Sequence, residues 1–103
     1  KLDCQEIFGP VVSLYPIDSL KSAVEKSNSV NYGLHAAIFT SNLNSAHYAI
    51  RNLEAGSVII NDSTDYRIDL MPFGGVKNSG LGREGIKYAL HEMTEPKVVC
   101  FNL

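Results

Sequence analysis

The residues with chemical potential are scattered along the chain and form no complete catalytic set. Gly80-Leu81-Gly82-Arg83-Glu84-Gly85 matches G-x-G-x-x-G. That pattern cradles a pyrophosphate when it follows a strand directly and an acidic residue comes about 20 positions later. Here a loop precedes it, and the chain nearly ends before such a position. The glycines therefore read as tight backbone turns entering a helix; an unrelated α/β nucleotide-binding domain, resting on this motif alone, is a rival reading. His91-Glu92-Met93-Thr94-Glu95 begins like H-E-x-x-H but places Glu95 where the second zinc ligand belongs. His35 and His47 have no spaced partner, so all three histidines read as structural or solvated, and no metal site is expected. No G-x-S-x-G is present. Cys4 and Cys100 are too far apart for metal-ligand spacing. They read as reduced, buried thiols of a cytoplasmic protein, with a disulfide joining the two ends as the alternative. Asn61-Asp62-Ser63 matches a glycosylation sequon, read as a chance match because no secretory signal opens the sequence.

Two unusual strings remain: Glu6-Ile7-Phe8-Gly9-Pro10-Val11, and Met71 through Glu84. Glu6 puts a carboxylate just before an apolar run, where it could accept hydrogen bonds from ligand hydroxyls. Phe8 offers an aromatic face beside it, able to pack on a flat ring. Spacing alone favours the plainer reading, a surface glutamate and a core phenylalanine.

The elements that must position these residues alternate. Val11 to Tyr15 is a short β-branched run after Gly9-Pro10 and predicts a strand. Asp18 is placed to cap a helix whose stripe is Leu20, Ala23 and Val24, fading by Asn28. Asn31-Tyr32-Gly33 breaks the chain, and Leu34 to Phe39 predicts a second strand. Asn42 caps a second helix with Leu43, Ala46, Ile50 and Leu53 at helical spacing and Gly56 as its C′ residue. Ser57 to Ile60 predicts a third strand. A loop from Asn61 to Gly82 follows, too long for a mere connection. Arg83 to Met93 predicts a third helix, and Val98 to Phe101 a last strand. Strands that are continuously apolar imply burial on both faces. The expected fold is therefore α/β: three layers, a mostly parallel sheet flanked by helices.

Composition fits one small domain. The chain has 103 residues, 45% hydrophobic and 19% charged, with a formal net charge of −2. These values exclude intrinsic disorder and collagen-like or mucin-like chains, and offer nothing that draws nucleic acid or anionic lipid. No apolar stretch approaches the roughly 20 residues of a membrane span. Area scaling predicts a folded surface of about 5,700 Å² against about 16,400 Å² unfolded, so roughly 65% would be buried.

Taken together, the strings resemble the C-terminal part of the aldehyde dehydrogenase superfamily. The resemblance runs through Glu6 to Val11, Asn31-Tyr32-Gly33-Leu34, Leu53-Glu54-Ala55-Gly56, Asn61, Pro72 to Glu84 and Thr94 to Lys97. The branch it most resembles contains lactaldehyde, non-phosphorylating glyceraldehyde-phosphate and phosphonoacetaldehyde dehydrogenases. The resemblance implies an enzyme that oxidises a small aldehyde to a carboxylic acid with NAD or NADP. A cysteine thiolate attacks the aldehyde, the thiohemiacetal yields a hydride to the nicotinamide, and a glutamate activates water to release the thioester. That cysteine and glutamate lie upstream of the Glu-Ile-Phe-Gly-Pro string, so no catalytic residue is expected here, and Cys4 lies outside any nucleophile motif.

The resemblance implies that Glu6 bonds the nicotinamide-ribose hydroxyls and that Phe8 packs beside the nicotinamide. It assigns Asp62 to Met71 to the substrate entrance, with Tyr66, Arg67 and the nearby Phe73. Arg67 could pair with a phosphate, phosphonate or carboxylate on the substrate, or could be a surface arginine balanced by Asp65 or Asp69. Residues from about 95 to 103 resemble the family's oligomerisation strand, implying a homo-oligomer, dimer or tetramer. With the chain opening on Lys1, residues 1–103 are expected to be a C-terminal fragment of a longer enzyme's catalytic domain, inactive alone. The alternative is a stand-alone assembly or binding module, or a pseudoenzyme, derived from an aldehyde dehydrogenase.

Overall fold

The computed structural model describes residues 5–103. Three helices and four short strands follow one another as α1 (Leu20–Asn28), β1 (Tyr32–Gly33), β2 (His35–Ile38), α2 (Leu43–Asn52), β3 (Ser57–Ile60), β4 (Val76–Lys77) and α3 (Ile86–Glu92). The α/β class read from the sequence holds. β2 and β3 pair in parallel with His35 opposite Ser57 and Ile38 opposite Ile60, joined by α2 as the crossover. β1 and β4 form a second, antiparallel ladder with Tyr32 opposite Lys77.

The helices start where local chemistry can satisfy their free N–H groups. Ser19, rather than Asp18, caps α1: its hydroxyl accepts from Ser22 N at 3.1 Å while Ser22 Oγ reaches back to Ser19 N at 3.3 Å. The reciprocal Ser19–Ser22 pair displaces the aspartate one residue upstream. Asn42 caps α2 as expected, accepting from Asn44 N at 2.9 Å and Ser45 N at 3.2 Å. α2 ends at Asn52 with Leu53 as its C-cap, which leaves Gly56 outside the helix-stop role. Gly56 instead lies where two backbone segments nearly touch: a Cβ there would sit 1.7 Å from the Gly74 carbonyl oxygen. α3 begins at Ile86, three residues later than predicted, because Gly82 and Gly85 carry φ of +68° and +126° and keep the entry non-helical.

α1 and α2 pack together and bury Val24, Ala46 and Ala49. Two polar staples join elements distant in sequence. The Asn28 side chain donates to Asn52 O at 2.7 Å and accepts from Glu54 N at 2.9 Å, tying the ends of α1 and α2. Asn61, held at φ +59°, accepts from Thr40 N at 2.7 Å and donates to Thr40 O at 3.0 Å. It thereby extends the parallel pairing one rung beyond β2 and β3, and the sequon's amide nitrogen serves the fold.

Two predicted strands do not form. Val11 to Tyr15 and Val98 to Phe101 join no ladder among the described residues. A strand needs a neighbour for its backbone N–H and C=O groups, and no strand among the described residues pairs with either segment. Their apolar side chains stay exposed, including Val12, Leu14, Val98 and Phe101. The surface is consequently 8787 Å² rather than the expected value, and the radius of gyration is 18.1 Å where a globule of this length has about 13 Å. Cys100 is exposed rather than buried, for the same reason. The Cys4 reading lies outside the described residues. No helix among those residues is long and apolar enough to cross a membrane.

Candidate functional site

The residues singled out from the sequence gather in two places. Glu6 lies on a cleft of about 470 Å³ whose walls are Gln5, Val30, Tyr32, Leu34, Asn78 and Ser79. The β1–β4 ladder builds its floor. Asn78 N donates to Asn31 O at 2.9 Å and Ser79 Oγ accepts from Gly33 N at 2.9 Å. Both contacts hold the Asn78-Ser79 turn against the Tyr32 strand. Behind it, Lys77 Nζ reaches Glu54 Oε2 at 2.6 Å, Asn28 O at 2.8 Å and Val30 O at 3.1 Å. Lys77 thus fixes the strand edge on which the cleft depends.

The Glu6 side of the cleft is chemically suited to a sugar. The carboxylate acceptor shares the cleft with the apolar side chains of Val30 and Leu34, which can shield the carbon face of a ring. Phe8 is not the core residue that spacing allows: it is 94% exposed, its ring free to lie on a flat partner. Among the described residues the glycine motif makes no strand–turn–helix phosphate cradle: it precedes a helix of only seven residues and follows a two-residue antiparallel strand. Among the described residues, no group of three His, Cys, Asp or Glu side chains could hold a metal ion.

The second place runs along β3 and into the segment that follows it. Tyr66 joins Val58, Ile59, Ile60, Asn61, Asp62 and Met71 around a cleft of about 430 Å³. Arg67, the next residue, does not pair with Asp65 or Asp69. Asp65 is taken by the Ser63 hydroxyl. Arg67 lies with its guanidinium carbon 4.1 Å from the centre of the Phe73 ring. Its Nη2 is 3.9 Å from Glu84 Oε2, at the outer limit of an ion pair. Phe73 and Glu84 are themselves bridged through their backbones, with N–H···O distances of 3.0 and 2.6 Å. Two of the three expected entrance residues, Arg67 and Phe73, are therefore in contact.

His35 is a member of this second group that sequence reading treated as structural or solvated. Its Nδ1 is 2.7 Å from Thr64 O, and its ring meets Phe73 edge-on with centroids 5.1 Å apart. The one signal available in the sequence was an imidazole inside the otherwise apolar run Leu34 to Phe39.

The model of the aldehyde dehydrogenase family matches residues 1–99. The chain belongs to that family. It is 52% identical over 97 residues to the lactaldehyde dehydrogenase of Methanococcus aeolicus, covering 94% of this chain and 21% of that protein. Aldehyde dehydrogenase 21 from Physcomitrella patens, solved in complex with its reaction product succinate, superposes with a TM-score of 0.85 at 51% identity. That match covers 89% of this chain and 19% of the Physcomitrella patens chain. The glyceraldehyde-3-phosphate dehydrogenase of Methanocaldococcus jannaschii, complexed with NADP, superposes with a TM-score of 0.69 at 56% identity, covering 71% and 16%. This aldehyde dehydrogenase chain thus spans about a fifth of the length of its relatives.

Proposed function

We propose that the chain is the C-terminal part of the catalytic domain of an NAD- or NADP-dependent aldehyde dehydrogenase that oxidises a small, anionic aldehyde to the corresponding carboxylic acid. In this reading the nucleophilic cysteine and the general-base glutamate belong to the rest of the enzyme, and residues 1–103 alone are inactive. NAD or NADP, when bound, accepts the hydride. Glu6 accepts hydrogen bonds from the ribose hydroxyls next to the nicotinamide, and the exposed Phe8 ring packs against the flat base. The carboxylate and the apolar side chains that share its cleft are what supports assigning the nicotinamide end of the cofactor to the chain.

The observation that carries the anionic substrate is Arg67. Its guanidinium is propped on an aromatic face, 43% exposed, with a long ion pair as its charged contact. Such a group keeps donors for a carboxylate or phosphate on the substrate. Two of the similar proteins carry an anion in the compound named with them, succinate in one and glyceraldehyde-3-phosphate in the other. The third, lactaldehyde dehydrogenase, is named for an uncharged aldehyde. Comparing full-length wild type with Arg67→Ala tests the point. KM for an anionic aldehyde should rise about ten- to a hundredfold with little change for a neutral one. Equal losses for both would sink it.

We also propose that the parent enzyme is a homo-oligomer, dimer or tetramer, in which residues 95–103 complete a sheet across subunits. The exposed Val98, Val99 and Phe101 support this, because an apolar segment with no strand beside it favours association. A cytoplasmic enzyme is in keeping with the exposed thiol of Cys100, which a reducing compartment keeps free. Sizing the full-length enzyme with and without residues 95–103 tests the interface: unchanged assembly after truncation refutes it.

A further inference from the structure

We propose that His35 is a positioning residue for anion recognition, stapling both ends of the segment that presents Arg67; the proposal deepens the anionic-aldehyde reading and rests on it. His35 opens β2, the strand paired with β3, so its backbone is fixed. A carbonyl oxygen only accepts, so the 2.7 Å contact with Thr64 O requires the proton on Nδ1. In the neutral ring with that tautomer Nε2 is an acceptor, and it is buried with no hydrogen-bond partner. Leaving a buried acceptor unmatched disfavours an imidazole at this position. The contacts that offset this are the other two: Nδ1–H on Thr64 and the ring edge on Phe73, at 5.1 Å and 80°.

Those contacts bracket the entrance segment. Thr64 lies three residues before Arg67, and Phe73 lies six residues after it. The ring that His35 meets edge-on is the ring on which the guanidinium rests, 4.1 Å away. The 3.9 Å separation from Glu84 is too long to orient Arg67 by itself. Orientation therefore comes from the Phe73 face, and His35 fixes that face and the Thr64 carbonyl together. An arginine held in place before the substrate arrives binds an anion with less loss of side-chain freedom.

The test uses the full-length enzyme and a length-matched pair of probes, succinic semialdehyde and butanal. His35→Ala should raise KM for succinic semialdehyde about three- to tenfold, the worth of one hydrogen bond. Its kcat, and both constants for butanal, should stay within about twofold. In an Arg67→Ala background the same change should add nothing. His35→Asn, whose amide keeps an N–H near the Nδ1 position, should recover most of the loss. If His35→Ala does not accumulate as folded protein, His35→Phe keeps the ring and removes the donor, and should raise the same KM alone. Equal effects on both aldehydes, or an undiminished effect without Arg67, would overturn the proposal. Selective loss in Arg67→Ala with a silent His35→Ala overturns it while sparing the anion reading. Unselective loss in Arg67→Ala overturns both.

Discussion

Lys77 is where a single substitution should loosen the cofactor-side cleft most. Its ammonium makes three contacts: Glu54 Oε2 at 2.6 Å, Asn28 O at 2.8 Å and Val30 O at 3.1 Å. Asn28 ends α1, so the cation sits at the negative end of a helix, beside a carbonyl that has no partner within it. The Glu54 carboxylate is 57% exposed and the lysine 25%, which limits the ion pair to under about 1 kcal/mol. The two carbonyl contacts are worth about 1 kcal/mol each. Lys77→Met should therefore weaken the local structure by about 2–3 kcal/mol, and Glu54→Gln by under about 1 kcal/mol. Hydrogen exchange of the full-length enzyme reads this at the Gly33 and Asn78 amides, which bond to Ser79 Oγ and Asn31 O. In Lys77→Met their peptides should exchange about 30- to 150-fold faster, against less than about fivefold in Glu54→Gln. Lys77 also holds φ at +55°, a conformation that disfavours a side chain by about 1 kcal/mol. Lys77→Gly should then exchange about fivefold slower than Lys77→Met. Unchanged protection in Lys77→Met, or an equal effect of Glu54→Gln, would refute the view that carbonyl capping, rather than the ion pair, fixes this edge.

Other substitutions test neighbouring links. Glu6→Gln in the full-length enzyme should raise the Kd for the nicotinamide cofactor about tenfold, read by fluorescence titration and single-turnover hydride transfer; no change in either removes Glu6 from the site. Gly56→Ala should cost more than about 3 kcal/mol, because the new Cβ would meet the Gly74 carbonyl, backbone against backbone. A soluble variant with an unshifted melting temperature would contradict that close approach. Asn42→Ala removes the acceptor for Asn44 N and Ser45 N. It should lower the stability of α2 by about 1 kcal/mol, seen as roughly fivefold faster exchange at those two amides.

What the sequence made legible is what is local. Asn42 and the stripe from Leu43 to Leu53 announced α2, since a cap and the periodicity that follows it lie within one helix. Ser57 to Ile60 and the apolar run before Phe39 announced the parallel pair. The misplaced cap at Asp18 shows the limit: two residue types with similar intrinsic fitness stood side by side, and the choice went to Ser19 because Ser22 could reciprocate. The β1–β4 ladder was not legible at all. Each strand has two residues, and Tyr32 meets Lys77 across 45 positions, so neither carries a pattern long enough to notice. The glutamate, phenylalanine and arginine of the expected site were legible only through the family resemblance, because no spacing links Glu6 to Asn78, or Arg67 to Phe73 and His35.

The terminal segments show why a correct hydrophobic pattern can still predict an absent strand. Val11-Val12 and Val98-Val99 have the side chains of residues buried on both faces, and periodicity reports only that preference. Forming a strand requires in addition a neighbour whose backbone groups are free. β2 has one neighbour in β3, and β1 has one in β4; neither ladder takes up a terminal segment. The exposed area exceeds the globular expectation by roughly 3,000 Å², more than a standard protein–protein interface buries in total. The part of that excess contributed by side chains such as Val12, Leu14, Val98 and Phe101 is expensive in water. The proposed sheet completion between subunits would cover part of it in the one way that also satisfies the backbone of residues 98–101. Deleting those residues should therefore raise the solubility of the isolated chain, whereas a merely disordered tail would leave it unchanged.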